Sequence, residues 1–110
     1  MGIVYVVQEM PTHNIAPALA YGKIEVLLPA NMQIAFSTAP AIRRLKTKLS
    51  NFGDKDYLLL TGDPVAIGTA CAIAAYKNGG AFSALKWDRR DHMYIPVTID
   101  TTEKGERDDY

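Results

Sequence analysis

The residues Thr61-Gly62-Asp63-Pro64 stand where a short apolar run, Tyr57 to Leu60, gives way to a helix-forming one. A helix that starts directly after a strand presents unpaired N–H groups and the positive end of its dipole, which suits a phosphate or another anion. Ser37 and Thr38 hold the matching place before an earlier helical stretch. Ser37, Thr38, Thr61, Gly62 and Asp63 are therefore the candidate anion- or ligand-binding residues of a small nucleotide- or phosphate-binding domain. Against this, one glycine is not a glycine-rich loop, so neither a dinucleotide fingerprint nor a P-loop is present. Asp63 also places a negative charge where the phosphate would sit. Asp followed by Pro is in itself a good helix start, with the carboxylate capping the N–H groups and Pro64 at the first helical position.

A second chemistry belongs to Arg43, Arg44, Lys46 and Lys48, four cations with no acid among them. Such a cluster can follow a phosphate backbone or an acidic partner. It can equally be a solvated helix face. Arg44 and Lys48 lie one turn apart and repel by a few tenths of a kcal/mol, a mild cost that a partner would relieve.

Nucleophilic and metal chemistry find less support. His13 and His92 fall in separate loops, with Asp88 and Asp91 near the second. Metal-binding spacings such as His-x-x-x-His are missing, so no metal site is expected. Cys71 lies among Ala70, Ala72 and Ile73, the setting of a small buried hydrophobe rather than a low-pKa thiolate. No catalytic residue and no cofactor are assigned, and the reading leans away from an enzyme.

The stretch from Val65 to Ala75 has almost no polar face. A helix apolar on all sides is expected to be buried on all sides. One face meets a sheet, and the other then needs a second cover. Self-association into a homodimer or larger symmetric assembly is expected, with Val65, Thr69, Ala72 and Tyr76 near the contact.

The elements that must position these groups follow from periodicity and turn residues. Ile3 to Gln8 reads as a strand buried on both faces. Met10 to Asn14 is a loop, and Ile15 to Tyr21 a short helical segment stopped by Gly22. Lys23 to Leu28 and Gln33 to Phe36 read as two strands of a hairpin around the turn Pro29-Ala30-Asn31-Met32. Ile42, Leu45, Leu49 and Phe52 recur at helical spacing and form the apolar stripe of the first main helix, ended by Gly53. The second main helix runs from Pro64 to about Lys77 and closes at Asn78-Gly79-Gly80. Ala81 to Trp87 and Met93 to Ile99 are two further strands, the last placed at a sheet edge by Pro96.

The order β-(short α)-β-β-α-β-α-β-β predicts an α/β domain with a mixed sheet of about five to six strands and two main helices. It spans residues 1–100, and residues 101–110 form an acidic tail that is expected to be flexible. The chain has 110 residues, enough for one domain with a core of its own. Twelve basic residues cancel twelve acidic ones, so there is no global pull toward nucleic acid or an anionic membrane. Nucleic-acid binding thus rests on the Arg43–Lys48 helix alone. No apolar stretch reaches the roughly 20 residues of a membrane span. A single cysteine and an N-terminus without a basic leader point to the cytoplasm.

Three stretches carry a family resemblance. They are Pro17-Ala18 with Tyr21-Gly22 and Val26-Leu27-Leu28-Pro29, then Asp56 to Pro64 with Ile67-Gly68, then Leu85-Lys86-Trp87-Asp88-Arg89-Arg90 with Tyr94-Ile95-Pro96. Over about residues 3 to 99 the chain resembles a family of short proteins of tailed, mainly marine short-tailed, phages. The resemblance implies a phage accessory protein in the infected bacterial cytoplasm and brings no catalytic residues with it. The leading expectation is a non-enzymatic protein that acts through contacts with itself and with a host or phage protein.

Overall fold

In the computed structural model, which describes residues 2–102, the β-branched run Ile3–Gln8 forms β1 at the centre of a five-stranded sheet. Residues 103–110 of the acidic tail lie outside the described residues. The other strands are β2 (Lys23–Leu28), β3 (Tyr57–Leu59), β4 (Ala81–Asp88) and β5 (Met93–Asp100), in the spatial order β2-β1-β3-β4-β5. The pairs β1/β2, β1/β3 and β3/β4 are parallel, and β4/β5 is an antiparallel hairpin. The fold is the expected α/β domain with a mixed sheet and two main helices, α1 (Thr38–Lys48) and α2 (Pro64–Lys77).

Alternation along β1 divides the core. Tyr5 and Val7 join the cluster made with α1 and α2, which includes Leu45, Leu49, Leu58 and Ala70. Val4 and Val6 face the other way, to Leu59, Leu85, Tyr94 and Ala18 of the 3₁₀ segment Ala16–Tyr21. Both helices thus cover one face, and among the described residues the other has only the segment leading from β1 to β2. Right-handed crossovers require this, because the chain first moves from β1 to β2 and then turns back across β1 to β3 and β4.

Two expectations about strands and layers need correction. Gln33 to Phe36 is a turn and not a strand, so β2 is an edge strand without the expected hairpin. The amides of Phe36 and Ser37 both donate to the Gln33 carbonyl at 3.0 Å. A strand would put Ile34 and Phe36 on one face, but Ile34 is buried and Phe36 is 85% exposed. The turn sends Ile34 into the core and leaves Phe36 outside. Helix α2, moreover, is not buried all round. Ala66, Ala70 and Ala74, at i, i+4 and i+8, face the sheet, while Val65 is 64% and Tyr76 84% exposed. An alanine face lets the helix lie close to the strands. Its opposite side is left outward within the chain.

The helix ends follow local chemistry. The Val65 amide donates to Asp63 Oδ1 at 2.7 Å, so Asp63 is the N-cap and Pro64 follows it. At the other end the Gly80 amide reaches back to the Ala75 carbonyl at 2.6 Å, with Gly79 at φ +66°. Helix α1 stops earlier than expected, with Leu49 as C-cap, and Gly53 instead donates its amide to Asp56 Oδ2 at 2.9 Å.

Pro96 sits in β5, the outer strand. The Thr101 amide donates to the Gly80 carbonyl, and β4 and β5 pair in steady register from there. Amides of odd-numbered residues therefore point at β4, and the nitrogen of Pro96 falls on the free edge. The missing donor costs the hairpin nothing and blunts that edge against further strands.

Candidate functional site

The chain leaves β1 toward one side of the sheet and β3 toward the other. In a doubly wound sheet, ligands sit outside the carboxyl ends of such a pair of strands. At this end Gln8, the last residue of β1 and a buried polar residue, joins the surrounding loops. Its Nε2 donates to the Met32 carbonyl at 2.7 Å and to the Pro29 carbonyl at 3.3 Å. Its Oε1 accepts the Asp63 amide at 2.9 Å. The Thr61 hydroxyl donates to the Gln8 carbonyl at 2.6 Å. One carboxamide thus ties the loop before α1 to the loop before α2.

Thr61, Gly62 and Asp63 are brought together here, but their polar groups are engaged. Gln8 takes the Asp63 amide and Asp63 takes that of Val65, the first donors a phosphate would need. Gly62 has φ +102°, and a Cβ on it would lie 2.3 Å from Gln8 Cβ. Ser37 makes no side-chain cap, and the Thr38 hydroxyl donates to the Ile34 carbonyl at 2.7 Å. Sequence reasoning missed Gln8. The available signal was a lone polar residue closing an apolar strand.

Beside this junction, on the sheet face opposite α1 and α2, lies a crevice of about 530 Å³. His13, Asn14, Thr61, Trp87, Arg89 and Tyr94 line it. The Trp87 ring is held edge-to-face by Tyr94 at 4.9 Å and by His92 at 6.2 Å. His92 takes φ +51°, uncommon for a residue with a side chain, and closes the β4–β5 turn so that its ring meets Trp87. Burial pushes the Tyr94 phenol up, which keeps it neutral. The sequence placed the two histidines in unrelated loops. The fold brings His13 to the crevice and packs the His92 ring against the tryptophan that lines it.

The basic helix divides in two. Arg44 Nε donates to the Leu27 carbonyl of edge strand β2 at 2.6 Å. Lys48 lies 3.7 Å from Glu25 on the same strand, a half-exposed pair of small energetic worth. Arg43 and Lys46 are exposed. Cys71 is half-buried against the core, and burial pushes its thiol pKa up, away from nucleophilic use. No three or more His, Cys, Asp or Glu residues are grouped to hold a metal among the described residues. No described helix is long and apolar enough to cross a membrane.

Apolar surface is concentrated elsewhere. Val65, Thr69, Ala72 and Tyr76 line the outward side of α2, Thr69 half-buried and the others exposed. On the helix side of the β4–β5 hairpin, Phe82, Ala84, Val97 and Ile99 line a shallow groove of about 370 Å³. Ile95, Val97 and Ile99 are each exposed by 38–42%, since α2 stops short of β5.

Compared with known proteins, the family model described as "Phage Pam3 gp32-like protein" matches residues 2–101. No curated protein and no solved structure matches.

Proposed function

The chain belongs to the Phage Pam3 gp32-like protein family, and from that premise we propose that it is a non-enzymatic phage accessory protein. It acts through protein–protein contacts in the infected bacterial cytoplasm. It assembles first with itself, as a homodimer or a larger symmetric oligomer, and through that assembly meets a host or phage protein. The observation that carries this reading is the helix side of β5, uncovered among the described residues, with Ile95, Val97 and Ile99 exposed as is the apolar outer row of α2. Grouped apolar side chains of this size mark interaction surfaces on soluble domains. A formal charge of zero places no electrostatic barrier between copies. Pro96 on the outer edge of β5 disfavours open-ended strand addition, so a closed face-to-face assembly is favoured.

The other two readings draw less support. The phosphate reading rests on Ser37, Thr38 and Thr61-Gly62-Asp63, where Gln8 and Asp63 already accept the leading amides of α2. Nucleic-acid binding through Arg43, Arg44, Lys46 and Lys48 loses Arg44 and Lys48 to β2.

Light scattering after size exclusion tests the proposal. The mass is expected at twice the 12.1 kDa of one chain, or a higher multiple. Val97→Glu and Val65→Glu place a charge on each apolar face at exposed positions. At least one is expected to return the protein to monomer mass with its circular dichroism unchanged, since burying an unpaired carboxylate costs several kcal/mol. A monomer at high micromolar concentration in the unaltered protein would overturn the self-assembly.

A further inference from the structure

We propose that the crevice beside the β1/β3 switch point binds a nucleoside monophosphate, with the base on Trp87 and the phosphate between Arg89 and His13. The crevice lies at the carboxyl ends of β1 and β3, where doubly wound sheets receive ligands. Its volume of about 530 Å³ falls within the range of small-molecule sites. Trp87 lines the crevice and is 38% exposed although two rings brace it, so part of an aromatic side chain is held in place at the crevice wall. A base stacks on such a surface whatever its identity.

Arg89 supplies the charge. It makes no ion pair among the described residues, and the neighbouring Asp88 spends its Oδ1 on the Arg90 amide at 3.0 Å. A free guanidinium is a fork for phosphate oxygens. His13 adds a ring nitrogen on the facing loop. Asn14 uses Oδ1 on the Ala16 amide, which leaves its NH₂ for a base carbonyl. An adjoining hollow of about 230 Å³ shares His13 and Thr61 and carries Glu9, an acceptor for ribose hydroxyls. Since Gln8 closes the start of α2, the phosphate is held from the hairpin side and not by the helix. A mononucleotide is favoured over a strand because Arg43 and Lys46 stand on α1, across the sheet from the crevice, and cannot extend Arg89 into a track.

Trp87 is the only tryptophan, so its fluorescence reports the site directly. The full-length protein is titrated with each of the four common ribonucleoside 5′-monophosphates, with the parent nucleosides, with inorganic phosphate and with a short oligothymidylate. Saturable quenching by at least one monophosphate is expected, with its nucleoside and phosphate alone weaker by roughly tenfold or more. Arg89→Ala, at an exposed position, is expected to weaken binding by roughly tenfold or more without changing the melting temperature. Any one of three results overturns the proposal. They are no saturable quenching by any monophosphate up to about 10 mM, unchanged affinity in Arg89→Ala, and tighter binding of the oligothymidylate than of every mononucleotide.

Discussion

Gln8→Leu is expected to destabilise the fold by about 3 kcal/mol, although leucine nearly matches glutamine in volume and suits a strand. The loss is not one of packing. The substitution removes the acceptor of the Asp63 amide and the donor that satisfies the Met32 and Pro29 carbonyls. Each buried polar group left without a partner costs about 1–3 kcal/mol. In a chain of this length the melting temperature should fall by about 10–20 °C. Gln8→Glu separates the two halves of the amide. It keeps an acceptor for Asp63 but turns a carboxylate toward two carbonyl oxygens. Burial and those oxygens hold its folded pKa above the unfolded value. Stability is then closest to that of the parent below the unfolded pKa, where the protonated acid donates to the Met32 carbonyl. It falls as pH rises through the folded pKa. Denaturant melts of both variants between about pH 4 and 8 check this. If both match the parent protein, the amide is not the tie between the loops.

Gln8 also shows where reading the sequence stops. Strands, helices and their order were legible because they depend on neighbours in the chain: the β-branched run of β1, the Asp-Pro start and the Gly-Gly end of α2, and Pro96 at an edge. The short strand expected at Gln33 to Phe36 failed for a non-local reason. Propensity allowed a hairpin, but β2 pairs in parallel with β1 and leaves its end to a turn that buries Ile34. The outer row of α2 was legible as residues, since Val65, Thr69, Ala72 and Tyr76 share one side at helical spacing. That the row faces outward depends on the alanine face opposite, which only the packing selects. The crevice was not legible. Its residues come from three segments more than twenty positions apart, His13 with Asn14, Thr61, and Trp87 with Arg89. A parallel sheet brings together the carboxyl ends of strands that are distant in sequence, so the residues of such a site share no local pattern.

Two glycine-to-alanine changes six residues apart should move stability in opposite directions. At Gly62 the backbone φ of +102° is one that residues with a side chain rarely adopt. The added Cβ would meet Gln8 Cβ at 2.3 Å and Gln8 Oε1 at 2.5 Å. The Oε1 atom can swing away only by giving up the Asp63 amide, and the Cβ is fixed to the backbone of the central strand. The loop before α2 must therefore move, carrying Asp63 with it. Backbone strain of about 1–3 kcal/mol and a disturbed Gln8 network together set the loss at about 3 kcal/mol or more. Gly68 lies in the middle of α2, exposed, with nothing within 4 Å of the Cβ position. There alanine only reduces the freedom of the unfolded chain and improves helix propensity, so Gly68→Ala should stabilise by about 0.5–1 kcal/mol. Urea unfolding of the two variants beside the parent protein measures both signs in one experiment. A loss at Gly68 would mean that the added methyl meets a neighbour in solution, as it would if a second copy packed directly on this point of α2 rather than on the side chains around it. No loss at Gly62 would mean that the junction is loose enough to admit a side chain, and with it a ligand, at the start of the helix.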